Sequence, residues 1–378
     1  LGFALLELSN WAAAETPIKE VLQLQPQSSQ ALYGLAQIRM HQRRYANAIT
    51  HLERALKIEP ESIELQLMLG AAYANQQQFG RAIVILEALA EKNPSSPPVQ
   101  FNLATTYARN ENYPAAARHY AIVLKLDPDN HSARMSAAKA LTNIYKHAEV
   151  LELISYFSTH HPPSVDKFEL HHLKGVALRG LGRYAEAEIE LRHATAMRPK
   201  RSDTLYHLGF VLARQKKNEQ ARYYLERAKE IDPDSADIRF QLGRVLNILK
   251  ETELAKSELR EFQQKKERSV SISRAESAAA RGNAALETGN AIQAVVEYQE
   301  AIGFNPTDPK LQHDLSLAYA AQGKLIAQRQ ALSKAIELDP QMARAHNELG
   351  LLDLRAARFS EAETSLQKAI KLDPQYAE

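Results

Sequence analysis

Apolar side chains return every three or four residues along almost the whole chain, in short bursts separated by polar turns. The stretch Ala343 to Gln375 shows the unit. Leu349, Leu352 and Leu354 predict one amphipathic helix, with Gly350 where a larger side chain would hold a neighbour away. After a break near Arg358-Phe359, Ala362, Leu366, Ala369 and Ile370 predict a second. Pro374 cannot continue a helix, so the unit closes there. A hairpin of this size cannot bury its own apolar faces and needs copies of itself alongside.

Those copies are present and in phase. Pro26, Pro60, Pro94, Pro128 and Pro162 are each 34 residues apart, and Pro199, Pro233, Pro306, Pro340 and Pro374 continue the series. Glu267 stands where one more proline would fall. With that position as the thirty-second place, the eighth place is small in all eleven repeats: Gly2, Ala36, Gly70, Ala104, Ala138, Gly175, Gly209, Gly243, Gly282, Ser316 and Gly350. The twentieth place is alanine except at Val150 and Gln328, and the twenty-fourth is apolar throughout, from Ile18 and Leu52 to Leu332 and Leu366. A small residue lets two helix backbones approach, and the large one fills the space between them.

Leu208-Gly209, Gly182-Arg183-Tyr184-Ala185-Glu186-Ala187 and Ile231-Asp232-Pro233 complete a pattern that resembles the tetratricopeptide repeat family, over nearly all 378 residues. The resemblance implies an all-α fold, a right-handed superhelical solenoid of helix-turn-helix repeats with a concave surface lined by the first helix of each pair. It also implies recognition of peptides or proteins, with no chemistry and no cofactor of its own. Stacked repeats that bury one continuous core and leave a long face open agree with this.

In that family the ligand-facing places of the first helix are the second, fifth, sixth, ninth, twelfth and thirteenth. Here they hold His172 and Arg179, then Tyr206, His207, Phe210 and Arg214, then Phe240, Arg244 and Asn247. Earlier repeats contribute Tyr33, Gln37, Phe101, Asn102, Arg109, Met135, Lys139 and Asn143. Aromatic bodies beside arginine forks suit a groove for an extended or helical peptide with acidic groups. The alternative is that the aromatics pack between helices and the arginines are merely solvated. Neither the Lys/Asn carboxylate clamp nor the asparagine ladder of some family members is reproduced: Lys139 and Asn102 are scattered.

Two irregularities divide the array into expected blocks 1–165, 166–267 and 268–378. Around Tyr145 to Val165, Val150 and Phe157 replace small residues, and extra residues follow near Pro162-Pro163, which predicts a change of local pitch. From Glu261 to Ser277 the closing proline is missing, so the second helix is expected to run on until Ser269 to Ser273 breaks it. The formal charges of the three blocks are 0, +4 and −2, so only the middle is basic. A net charge of +2 and a pI of about 8.5 argue against nucleic-acid binding, which only the +4 block leaves open.

The chain has no cysteine, which removes disulfides, thiolate metal sites and cysteine nucleophiles, and favours an oxidising compartment such as a bacterial periplasm or envelope over the cytoplasm. No apolar run is long enough to span a membrane. No Walker or Gly-x-Ser-x-Gly motif occurs. The doublets His160-His161 and His171-His172 do not predict a metal site, because adjacent helical residues point apart and no carboxylate follows at i+3 or i+4 on the same face. Leu1-Gly2 falls within a first helix, and Gln375-Tyr376-Ala377-Glu378 reads as the start of another repeat, so a longer chain is expected on both sides. The reading is a non-catalytic scaffold for protein–protein interaction and complex assembly. Two alternatives stay open: the targeting portion of a longer glycosyltransferase or outer-membrane polysaccharide exporter, and a structural subunit that self-associates end to end.

Overall fold

The prolines and small residues act where the repeat places them. The computed structural model describes residues 1–160, 162–163 and 165–374; His161 and the expected repeat start at Gln375 to Glu378 lie outside the described residues. By contact the chain divides into unit 1, Leu1–Thr252, and unit 2, Glu253–Glu378.

In unit 1 the first helices are α1 (Gly2–Glu7), α3 (Ser29–His41), α5 (Ile63–Asn75), α7 (Pro97–Arg109), α9 (His131–Asn143), α11 (Lys167–Gly180), α13 (Ser202–Arg214) and α15 (Ala236–Ile248). They alternate with second helices α2 (Trp11–Leu24), α4 (Tyr45–Ile58), α6 (Phe79–Lys92), α8 (Tyr113–Leu126), α10 (His147–Ser155), α12 (Tyr184–Met197) and α14 (Asn218–Ile231). Unit 2 comprises α16 (Thr252–Glu287, all but its first residue), α17 (Ala291–Phe304), α18 (Pro309–Ala321), α19 (Leu325–Leu338), α20 (Ala343–Arg355) and α21 (Phe359–Leu372). Among the described residues there is no strand, and no helix is long and apolar enough to cross a membrane.

Each hairpin is punctuated twice. Ser28, Ser62, Asn130 and Ser235 cap the first helices by accepting a hydrogen bond from the backbone N–H three residues on. At the turn between helices one residue takes the left-handed conformation. Arg43, at φ 59°, donates to the Met40 carbonyl, and Arg44 reaches back to that of Arg39 at 2.8 Å, the double closure of a Schellman turn. Gly182, Gly289 and Gly323 occupy the same place, but Gln77, Glu111, Tyr145, Lys216, Lys250 and Ala357 also adopt it without being glycine.

Packing within a hairpin follows the eighth and twenty-fourth places. A Cβ added to Gly209 would lie 2.6 Å from Leu225 Cγ and 3.3 Å from the Ala221 carbonyl oxygen, so the helices approach as closely as a glycine allows. Leu225, Leu191, Leu86 and Leu52 are completely buried. In the last hairpin Ala362 and Ala369 are buried as the pattern requires, whereas Leu354 and Ile370 stay 41% and 39% exposed.

Both irregularities have structural outcomes. Val150 and Phe157 are taken into the core with Ile154, Leu173 and Ala177. To admit Phe157, α10 stops at nine residues and ends in a 3-10 turn, Tyr156–Ser158, where α12 and α14 have fourteen. The break expected at Ser269 to Ser273 does not occur: α16 runs unbroken for 36 residues, joining the second helix of one repeat to the first of the next. Without the closing proline nothing forbids the next helical hydrogen bond, and serine does not interrupt a helix by itself. Ser271 instead donates at 2.6 Å to the carbonyl of Phe304, the last residue of α17.

Candidate functional site

Successive first helices touch one another from α5 through α7, α9, α11 and α13 to α15 and form a continuous wall in unit 1. All fourteen groove candidates from Phe101 to Asn247 lie on those helices. Side chains link the wall laterally. Arg109 donates to Asn75 Oδ1 at 2.9 Å and stacks its guanidinium over Phe79; Lys139 pairs with Glu169 at 3.0 Å. Asn102 and Asn143 donate to carbonyls of their own helices, those of Pro98 and Lys139, and Phe101 packs edge-on to Tyr120.

The densest part of the wall spans α11, α13 and α15. His172 Nδ1 meets Thr204 Oγ1 at 3.0 Å, and its ring lies 5.7 Å from that of His207. Tyr206 sits beside His207, ring centroids 5.2 Å apart. Phe210 lies between two guanidiniums, Arg179 at 5.0 Å and Arg214 at 5.1 Å from its centroid, and Arg244 lies over Phe240 at 5.7 Å. The outer members, Arg214, Phe240, Arg244 and Asn247, are exposed, while His172, Arg179, Tyr206, His207 and Phe210 are half-buried.

Polarity is unevenly satisfied here. Arg179 Nε and His207 Nδ1 are enclosed and have no hydrogen-bond partner, as is His147 Nδ1. Burial, with Arg179 and His172 nearby, pushes the His207 pKa well below its ordinary value, so the ring is neutral. Burial also lowers His172, against the pull of Asp203 and Glu169. It raises the Tyr206 phenol, which neighbouring Arg179 partly offsets.

Among the described residues, Arg179, Arg214 and Arg244 have no carboxylate within ion-pairing distance. Some arginines away from the wall do: Arg192 pairs with Glu188, Arg198 with Asp166 and Arg222 with Glu226 and Glu251, whereas Arg81 and Arg227 rest over Tyr73 and Tyr223. Sequence places identify the wall but not this difference, because periodicity along one helix does not show which side chain of a neighbouring helix meets it. They also miss two neighbours. His147 lies so close to Gly180 that any added Cβ there would collide with its ring. Trp11 stacks on His41 at 5.0 Å beside a cavity of about 480 Å³ that Tyr33, Gln37, Met68 and Asn102 also line.

A second grouping lies between α11 and α12. His171, Glu190 and His193 bring one ligating atom each to within 4.8 Å of one another, a set invisible to spacing along one helix because the carboxylate comes from the neighbouring one.

Comparison with known proteins places this architecture. Family models described as tetratricopeptide repeat match residues 39–103 and 76–142 in one case, and 1–63, 172–255 and 313–377 in another. No curated protein matches the chain. Among solved structures, a tetratricopeptide repeat protein from Parabacteroides merdae is 16% identical with a TM-score of 0.46, covering 65% of this chain and 96% of its own. A human IFIT1 dimer with PPP-AAAA is 16% identical at a TM-score of 0.42, covering 98% and 89%. The Cut9 and Hcn1 hetero-tetramer of the APC/C is 13% identical at 0.38, covering 99% and 92%.

Proposed function

The chain belongs to the tetratricopeptide repeat family, and from that premise we propose that it is a non-catalytic interaction scaffold whose first-helix wall, from α7 to α15, holds an acidic segment of a partner protein. The observation that carries this reading is the set of wall arginines without carboxylates. Arg179, Arg214 and Arg244 are held over Phe210 and Phe240 rather than ion-paired. A guanidinium held over an aromatic face by cation–π attraction is restrained without an ion pair. The guanidinium edge suits a carboxylate, which accepts two parallel hydrogen bonds from it. Phe240 and the ring of Phe210 supply apolar area alongside, at little cost in side-chain entropy.

Binding of the purified protein to an array of acidic, neutral and basic peptides, read by fluorescence anisotropy, tests this. Acidic peptides should bind best, and Arg214→Glu with Arg244→Glu should abolish that preference without altering helicity. Equal binding to all three peptide classes would sink the acidic reading. Equal loss of binding and fold in the double variant would make the arginines structural.

A further inference from the structure

We propose that His171, Glu190 and His193 form a binding site for a divalent first-row transition metal of the zinc type, distinct from the first-helix wall. Glu190 and His193 sit three residues apart on α12 and share a face; His171 faces them from α11. His171 Nδ1 lies 2.6 Å from Glu190 Oε2, and the His171 and His193 rings stand edge-to-face at 5.1 Å. Ligands at about 2.0–2.2 Å from a tetrahedral ion are roughly 3.3–3.5 Å apart. The His171–Glu190 pair therefore opens by less than about 1 Å as the metal takes the place of its shared proton. Lys174 holds the other carboxylate oxygen, Oε1, at 2.5 Å and leaves Oε2 to the ion.

The repeat supplies an internal comparison. His171, Glu190 and His193 occupy the fourth, twenty-third and twenty-sixth places. In the repeat of α7 and α8 the fourth and twenty-third places hold Gln100 and His119, hydrogen-bonded at 2.7 Å, and the twenty-sixth is Ile122. A cross-helix polar pair at these two places thus recurs in a second hairpin, and a third ligating side chain beside it is what sets α11 and α12 apart from α7 and α8. The second observation is access. Because α10 ends early, a cavity of about 250 Å³ opens next to α12, lined by His171 and Glu190 together with Leu151, Ile154, Phe157 and Leu170. Two imidazoles and one carboxylate leave a fourth tetrahedral position for water or a small donor reaching in from that cavity.

Isothermal titration of the full chain with Zn²⁺ tests the site, alongside the visible spectrum with Co²⁺ and melting with and without Zn²⁺. The wild type should bind one Zn²⁺ saturably, give the d–d bands of a low-coordinate nitrogen and oxygen site with Co²⁺, and melt higher with metal. His193 is exposed, so His193→Asn should keep the far-ultraviolet spectrum, yet lose affinity by about 10–100-fold and lose the melting shift. No saturable Zn²⁺ binding in the wild type overturns the proposal. So does wild-type binding by His193→Asn, which would place the metal among the other histidines.

Discussion

The two units use the same hairpin but differ in what stands at the ligand-facing places of its first helix. At the fifth, ninth, twelfth and thirteenth first-helix places, where unit 1 carries Phe240, Phe210, Arg244, Arg179 and Arg214, unit 2 carries Ala279, His313, Asn283, Leu317, Leu351, Ala320 and Leu354, with Arg355 as its one arginine there. Three arginines of unit 2 are spent on internal partners. Arg281 bridges Glu297 and Glu300 at 2.7 Å, and Arg329 and Arg358 converge on Asp353, which is 1% exposed. In unit 1 the wall arginines rest on rings. The helix pair fixes where a side chain stands, and the residue on the neighbouring helix decides whether its charge is consumed by the fold or left for something outside.

The largest effect expected from this contrast is on binding. Each wall arginine that meets a carboxylate contributes on the order of 1.5–3 kcal/mol, so Arg214→Glu with Arg244→Glu should weaken an acidic peptide by about 100-fold or more. Anisotropy titration of the double variant measures this, and an unchanged curve removes the distinction between the units. Next comes Asp353→Ala in unit 2. Breaking a buried ion pair costs about 3–5 kcal/mol, but Arg329 and Arg358 are 38% and 41% exposed and regain water. A loss of about 2 kcal/mol is therefore expected. Arg214→Ala in unit 1 should stay within about 0.5 kcal/mol of wild type in the same urea titration. Similar losses in both variants would end the comparison.

Acidity should separate the units in sign. Asp314, 3.6 Å from Nδ1, and Glu348, 3.0 Å from Nε2, hold a proton on buried His313 and raise its pKa to about 9. The stabilisation from charged His313 is complete below its unfolded value of about 6.5 and is lost as the pH rises through about 9. His207 runs the other way. Its pKa is depressed, so stability is present above about 6.5 and falls as acid forces a proton onto the enclosed ring. Histidine-selective NMR titration reads both directly. A His313 midpoint near 6.5, or a His207 that protonates at its ordinary pH, would overturn the assignment.

The smallest effect concerns turns. Glycine takes the left-handed place at Gly182, Gly289 and Gly323, while Lys216 and Lys250 of unit 1 hold it at φ 61° and 65°. A side chain in that region costs roughly 1–2 kcal/mol, so Lys216→Gly should stabilise unit 1 by up to about 1 kcal/mol after the entropy of glycine is counted. Thermal melting of Lys216→Gly measures it, and a lower melting temperature would show that the Lys216 side chain contributes more than its backbone strain costs.

Much of this architecture can be read from residue types alone. The small eighth place, the apolar twenty-fourth and the closing proline locate each hairpin and its tightest contact, and the structure places Gly209 against Leu225 accordingly. Residues that form α16 mislead because a missing proline does not say where the next break falls, and Ser271 bonds to α17 instead of ending its own helix. For the wall, helical places put all fourteen candidates on first helices. They do not say who pairs with whom: the places that meet across helices recur at fixed offsets, as in His171 with Glu190 and Gln100 with His119, but the residue types that fill them vary from repeat to repeat.

The contact between the eighth and twenty-fourth places closes within a single hairpin, so a gene that gains or loses one period elsewhere hands each daughter repeat a finished lock. A crossover inside Thr252–Glu287 has no such seam. It would splice halves of one rod that serves two repeats, and heritable changes of length should therefore fall on either side of it.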